Sequence, residues 1–137
     1  MEILIFFLLL SFFFWSIFWF ILLIRKEKFP ENRKKYFLNK LNEIKNFNNF
    51  KNFRDNYEKK ILNYDKILDQ VLKEKKYSWT LWEKMKKFWV NFLNQNEIWF
   101  AHKMRNQIAH ELHSEISEKN FLKAEKIFLR EIKNMMN

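Results

Sequence analysis

The sequence predicts an all-α protein: one N-terminal transmembrane helix, then a cytoplasmic bundle of about four main helices. Three observations carry this. Residues 3–24 form an apolar run in which only Ser11 and Ser16 are mildly polar. Beyond it, apolar side chains recur at spacings of three and four, the repeat of one helix face. The chain has no glycine, a single proline and no alternating apolar–polar stretch, so no strand signal stands against the helices.

Twenty-two helical residues at 3–24 would span about 33 Å, enough for a hydrocarbon core of about 30 Å. A signal peptide fits poorly. Met1 and Glu2 supply no positive charge, the apolar run is long, and no small-residue cleavage site follows it. Arg25, Lys26, Lys28, Arg33, Lys34 and Lys35 follow, against Glu27 and Glu31. The positive-inside rule then expects a single-pass protein of the cell inner (plasma) membrane with its C-terminal part in the cytoplasm. The basic cluster would touch anionic headgroups, at about 1 kcal/mol per residue. The expected organisation is a transmembrane anchor at 1–25, a basic juxtamembrane linker at 26–30 and a helical bundle at 31–137. Pro30 breaks the first helix from the next or opens the next one.

Length leaves room for one small domain: 137 residues, with no cysteine. Disulfides and thiolate–metal sites are therefore excluded. The formal net charge of +10 favours nucleic acid or anionic lipid as a partner. Lysine, asparagine, phenylalanine and isoleucine are all abundant, however, as an AT-rich coding sequence alone would make them. Six tryptophans accompany the missing glycine. Trp79 and Trp82 fall where a turn with glycine is expected. Either tryptophan is simply used there, or a reassigned stop codon makes some of these positions glycine. The mass of native peptides covering them separates the two.

Residues 31–53 read as helix, with Leu38, Leu41, Ile44 and Phe47 at spacing three. Asparagine-rich, it needs packing to hold it. Residues 55–76 read as a second helix capped by Asp55, with Tyr57, Ile61, Tyr64, Leu68 and Val71 on one face. Thr80 and Glu83 have capping-box spacing, so a short helix covers 81–88. The next helix is capped by Asn94 or Asn96. Its stripe is Ile98, Ala101, Arg105, Ile108 and Leu112, so an arginine lies on the packing face. Asn106 and His110 share the neighbouring face, with His102 on the same line. Small Ala101 and Ala109 allow another helix or chain to approach closely. Ser117 caps a last helix from Glu118 to about Met135, built on Phe121, Leu122, Ala124, Ile127, Phe128 and Ile132.

Polar groups on a packing helix are costly unless paired or used. The run Arg105, Asn106, Gln107, Ile108, Ala109, His110 resembles the arginine, polar residue, three further positions and histidine of HEPN domains, which are small helical bundles. Its place on the penultimate helix, after two long helices and a turn, agrees. Ala101, His102, Lys103 and Met104 before it, and Glu111 after it, also resemble some bacterial members. The resemblance covers about 31–137, and the anchor is an addition to the minimal domain. For active members it implies a metal-independent endoribonuclease without cofactor, in which two chains bring both arginine–histidine sets to one cleft. His110 would move a proton at the RNA 2′-hydroxyl or the leaving oxygen. Arg105 would hold the scissile phosphate, and Asn106 would orient these groups. The residue types suit the chemistry: histidine titrates near neutrality, and arginine matches phosphate geometry.

The expected partners are membrane lipids through the anchor, RNA, a second copy of the chain, and an unidentified protein. A second reading stands beside the enzyme: a non-catalytic, membrane-tethered protein-interaction or dimerisation module, with the Arg105, Asn106 and His110 set only specifying helix packing. A third is a basic domain that serves the lipid surface. His110 and His113 are three apart, but without further ligands they make a poor metal site. The tryptophans and phenylalanines read as core or lipid-facing rather than as base-stacking platforms.

Overall fold

Short polar side chains set the helix starts in this chain, and those starts fix the faces that pack. The computed structural model describes residues 7, 10–19, 29–48, 52–75, 80–110 and 116–137. Helix α1 is described over 10–19. Then come α2 (Glu31–Lys45), α3 (Phe53–Glu74), α4 (Leu81–Phe88), a 3-10 turn (Trp89–Asn91), α5 (Gln95–His110) and α6 (Glu118–Met135). There is no strand among the described residues. Asn52 accepts from the Arg54 N–H at 3.0 Å, and Thr80 and Glu83 form the capping box that their spacing predicted. Asn94 accepts from the Glu97 N–H at 3.2 Å, and Ser117 from the Asn120 N–H at 3.4 Å. Such caps contribute about 1 kcal/mol each.

The first two boundaries differ from expectation. α2 stops at Lys45 rather than near 53, and Asn52, not Asp55, caps α3. Asparagine disfavours the helix interior and favours its ends: Asn46 is the C-cap of α2, and the Asn52 side chain caps α3. Pro30 sits at the N-cap position of α2 with φ of −60°. Its carbonyl accepts from the Lys34 N–H at 2.8 Å.

α3 is the centre of the bundle, packed against α2, α4, α5 and α6, while α5 also lies along α6. The face expected from its 4-3-4-3 spacing is the one that is buried. Ile61, Tyr64, Leu68 and Val71 meet Phe37 and Leu41 of α2, Ile98 and Ala101 of α5, and Phe121, Phe128 and Ile132 of α6 in one core. Tyr64 satisfies its hydroxyl at the edge by donating to Glu125 at 3.0 Å. Burial, with the Glu125 charge beside it, pushes that hydroxyl well above the ordinary tyrosine range.

The expected transmembrane helix is overturned. Among the described residues no helix is long and apolar enough to cross a membrane. The described helical residues of this run are 7 and 10–19. Its aromatic side chains, Phe12, Phe13, Phe14, Trp15, Phe18 and Trp19, are exposed. An apolar run in a sequence fixes hydropathy, but it does not fix that one unbroken helix occupies its whole length. The remainder of the 1–25 anchor lies outside the described residues. So does the 26–30 linker apart from Phe29, which joins the bundle core, and Pro30.

The expected glycine-requiring turn is also half revised. Trp82 is not in a turn but in the first turn of α4, where helical φ asks nothing of glycine. Trp79 lies outside the described residues.

Candidate functional site

The polar residues of α5 are built against one carboxylate that the sequence reading did not single out. Asp65 sits on α3 beside Tyr64 and is almost fully buried. A buried carboxylate needs hydrogen bonds or counter-charges. α5 supplies both. His102 lies one helical turn before Asn106, so the two share a face that meets α3. His102 Nδ1 is 2.9 Å from Asp65 Oδ1, and Arg105 Nε is 2.9 Å from Asp65 Oδ2.

Asn106 closes the circuit. Arg105 donates from a terminal guanidinium nitrogen to Asn106 Oδ1 at 3.0 Å, and Asn106 Nδ2 lies 3.4 Å from His102 Nε2. Donors and acceptors then run consistently round a ring of four side chains. His102 donates from Nδ1 to Asp65 and accepts at Nε2 from Asn106, and Asn106 accepts from Arg105 (the tautomer is assigned from these partners). The fourth side, from Arg105 to Asp65, is close but poorly aligned: Arg105 Nε makes no directed hydrogen bond. It is held there by charge.

The ring is not equally buried. Asp65 and His102 are enclosed, whereas the Arg105 side chain remains 31% exposed. Asn106 is half-buried. His110, the last residue of α5, is exposed. Of the three expected site residues, Arg105 and Asn106 are therefore brought together, and His110 stands apart. Among the described residues no side-chain hydrogen bond or ion pair joins it to either. Asn106 and His110 are four residues apart on one face, their Cβ atoms about 6 Å apart by helix geometry. Glu111 and His113 lie outside the described residues. No group of three or more histidine, cysteine, aspartate or glutamate side chains that could hold a metal occurs among the described residues.

Asp65 was missed because it lies 37 residues from His102 in sequence and one position off the apolar stripe of α3. Its signal was weak: one acidic residue next to Tyr64, on a helix that carries many other charges. His102, on the same line as Asn106 and His110, joins the ring through its contacts with Asp65 and Asn106.

An aromatic strip continues from the ring toward α4. The Trp99 ring is 5.8 Å from that of His102, and the Trp82 ring is 4.6 Å from that of Trp99 at 44°. Lys86 Nζ stands 4.3 Å from the Trp82 centroid, within cation–π range.

Fold and site together define an all-helical bundle with a buried carboxylate ring on one edge. No family model, curated protein or solved structure matches the chain.

Proposed function

We propose that this bundle is an RNA-binding protein of HEPN-like type that cleaves RNA without a metal, as a pair of chains. The observation that carries the reading is the state of Arg105: a guanidinium fixed by buried Asp65 yet about one-third open to water. A pre-oriented, accessible arginine suits a phosphate oxygen, to which it can present two parallel N–H groups. His110, exposed at the end of the same helix, is free to reach a bound strand. In the reaction it would take the proton of a ribose 2′-hydroxyl, whose oxygen attacks the adjacent phosphorus. The 5′-oxygen would leave with a proton from the second chain's His110, giving a 2′,3′-cyclic phosphate and a 5′-hydroxyl. Arg105 would offset the charge gathering on the phosphoryl oxygens.

One observation favours a second reading. The ring of Asp65, His102, Asn106 and Arg105 already occupies two of the three motif residues within one chain, as a structural network in a non-catalytic interaction or dimerisation module would. Incubating the 137-residue chain with single-stranded RNA in chelator separates the two. The enzyme reading expects cleavage that His110→Ala lowers at least about 100-fold, since positioned proton transfer contributes about 10²–10⁴. The exposed position of His110 should leave the fold unchanged. RNA left intact by the unsubstituted chain would leave only the interaction module standing.

A further inference from the structure

We propose that Trp82 and Trp99 form a stacking surface for a base of single-stranded RNA, with Lys86 and Arg105 taking the phosphates on either side. This rests on the RNA-binding reading and deepens it. The sequence reads the tryptophans as core or lipid-facing rather than as base-stacking platforms, but Trp82 and Trp99 are 41% and 37% exposed. They touch each other across α4 and α5. The two partly open indoles are adjacent, so they make one contiguous apolar patch rather than two scattered exposed residues.

Continuity says what covers them. Lys86, Trp82, Trp99 and His102 are each in contact with the next, and His102 leads through Asn106 to Arg105. A cation stands at each end and an aromatic surface lies between, the alternation that a single strand presents as phosphate, base, phosphate. Trp99 and Asn106 are seven residues apart, about 10 Å along the helix. The net charge of +10 favours an anionic occupant. A second copy of the chain is a poor occupant, because the exposed part of two indoles is roughly 200 Å², against about 800 Å² per partner in a stable interface. Duplex RNA is a poor one too, because its bases are already stacked on each other.

Fluorescence anisotropy with a labelled 12-nucleotide oligouridylate tests this on the 137-residue chain, kept in mild detergent that covers the exposed aromatics of α1. Trp82→Leu and Trp99→Leu should each weaken binding by roughly tenfold or more. They should leave the slope of log affinity against log salt unchanged, since neither removes a charge. Trp82→Phe, which keeps a ring, should retain most of the affinity. Leucine variants that bind like the unsubstituted chain would overturn the stacking surface while the RNA-binding reading stands. No RNA binding by the unsubstituted chain would overturn both. Preference for a duplex of the same length would overturn the stacking surface alone. Should a leucine variant unfold, tryptophan emission of the unsubstituted chain decides: quenching by the oligouridylate but not by inorganic pyrophosphate supports stacking, and no quenching overturns it.

Discussion

Two buried carboxylates hold the two halves of α5, and they do it with different partners. Glu131, on α6, is completely enclosed. It accepts from the backbone N–H groups of Leu93 at 2.9 Å and Asn94 at 3.3 Å, just before α5 begins. Arg130 donates to it at 2.7 Å and also reaches Glu97 in the first turn of α5 at 2.6 Å. Asp65, on α3, instead engages side chains in the middle of α5: His102, fully enclosed, and Arg105, partly in water. The amides at Leu93 and Asn94 cannot leave without moving the chain, whereas Arg105 can swing to solvent. One carboxylate is therefore an anchor that sets where α5 starts. The other is a holder whose partner stays available to a ligand.

Removing each carboxylate should expose that difference. Glu131→Ala strands two backbone donors and part of Arg130 in a buried site. A loss of about 3–5 kcal/mol is expected, as when one partner is removed from a buried charged network. Urea unfolding measures it, and RNA affinity per folded molecule should be unchanged. Asp65→Ala should cost less, about 1–3 kcal/mol, because Arg105 can recover hydration and only His102 is left without its acceptor. RNA affinity should nevertheless fall, since Arg105 would no longer be pre-oriented. Equal losses of stability at the two sites, or RNA binding indifferent to Asp65→Ala, would break the distinction between anchor and holder.

The same distinction explains what could be read from the sequence. Three of the helix starts, and the packing face of α3, follow from local rules. Thr80 with Glu83, Asn94 and Ser117 are caps at recognisable spacings, and the stripe Ile61, Tyr64, Leu68, Val71 repeats at helical period. Local hydrogen bonds and single-helix periodicity are written in adjacent residues, so they are legible. Asn52 was displaced to Asp55 because both are good caps and only packing chooses between them. The site was half legible. Arg105 and Asn106 drew attention because polar residues on a packing face need partners, but the partner, Asp65, comes from another helix and has no local mark. Glu131 is hard to read for the same reason: adjacent Arg130 pairs with it, but the backbone N–H groups of Leu93 and Asn94 that it holds come from another part of the chain. The tryptophan surface is a third case, since Trp82 of α4 and Trp99 of α5 are far apart in sequence and meet only in the fold. The transmembrane expectation rested on hydropathy alone, and among the described residues no helix is long and apolar enough to cross a membrane.

A third carboxylate grades the comparison at its weak end. Asp69, one turn beyond Asp65 on α3, receives Lys84 of α4 at 2.6 Å and Lys73 at 3.0 Å. Lys84 is itself fully enclosed, so the pair ties α4 to α3. Partial burial pushes the Asp69 carboxyl up, but hydrogen bonds and charge from the two lysines outweigh it and hold the group below its ordinary value of 3.8. A carboxyl depressed in the folded state contributes stability above its unfolded value and loses it as pH falls through its folded value. Unfolding free energy measured from pH 7 down to about pH 2 should therefore show Asp69→Asn less stable than the unsubstituted chain near neutrality. That gap should narrow once the pH drops below the ordinary carboxylate range. The effect should be smaller than that of Glu131→Ala, because the amide oxygen of the asparagine can still accept from enclosed Lys84 and Lys73 is largely solvated. A gap that stayed constant throughout the acid range would mean that the charge of Asp69 contributes nothing to the joint between α3 and α4. Lys84 would then be held by packing of its alkyl stem alone.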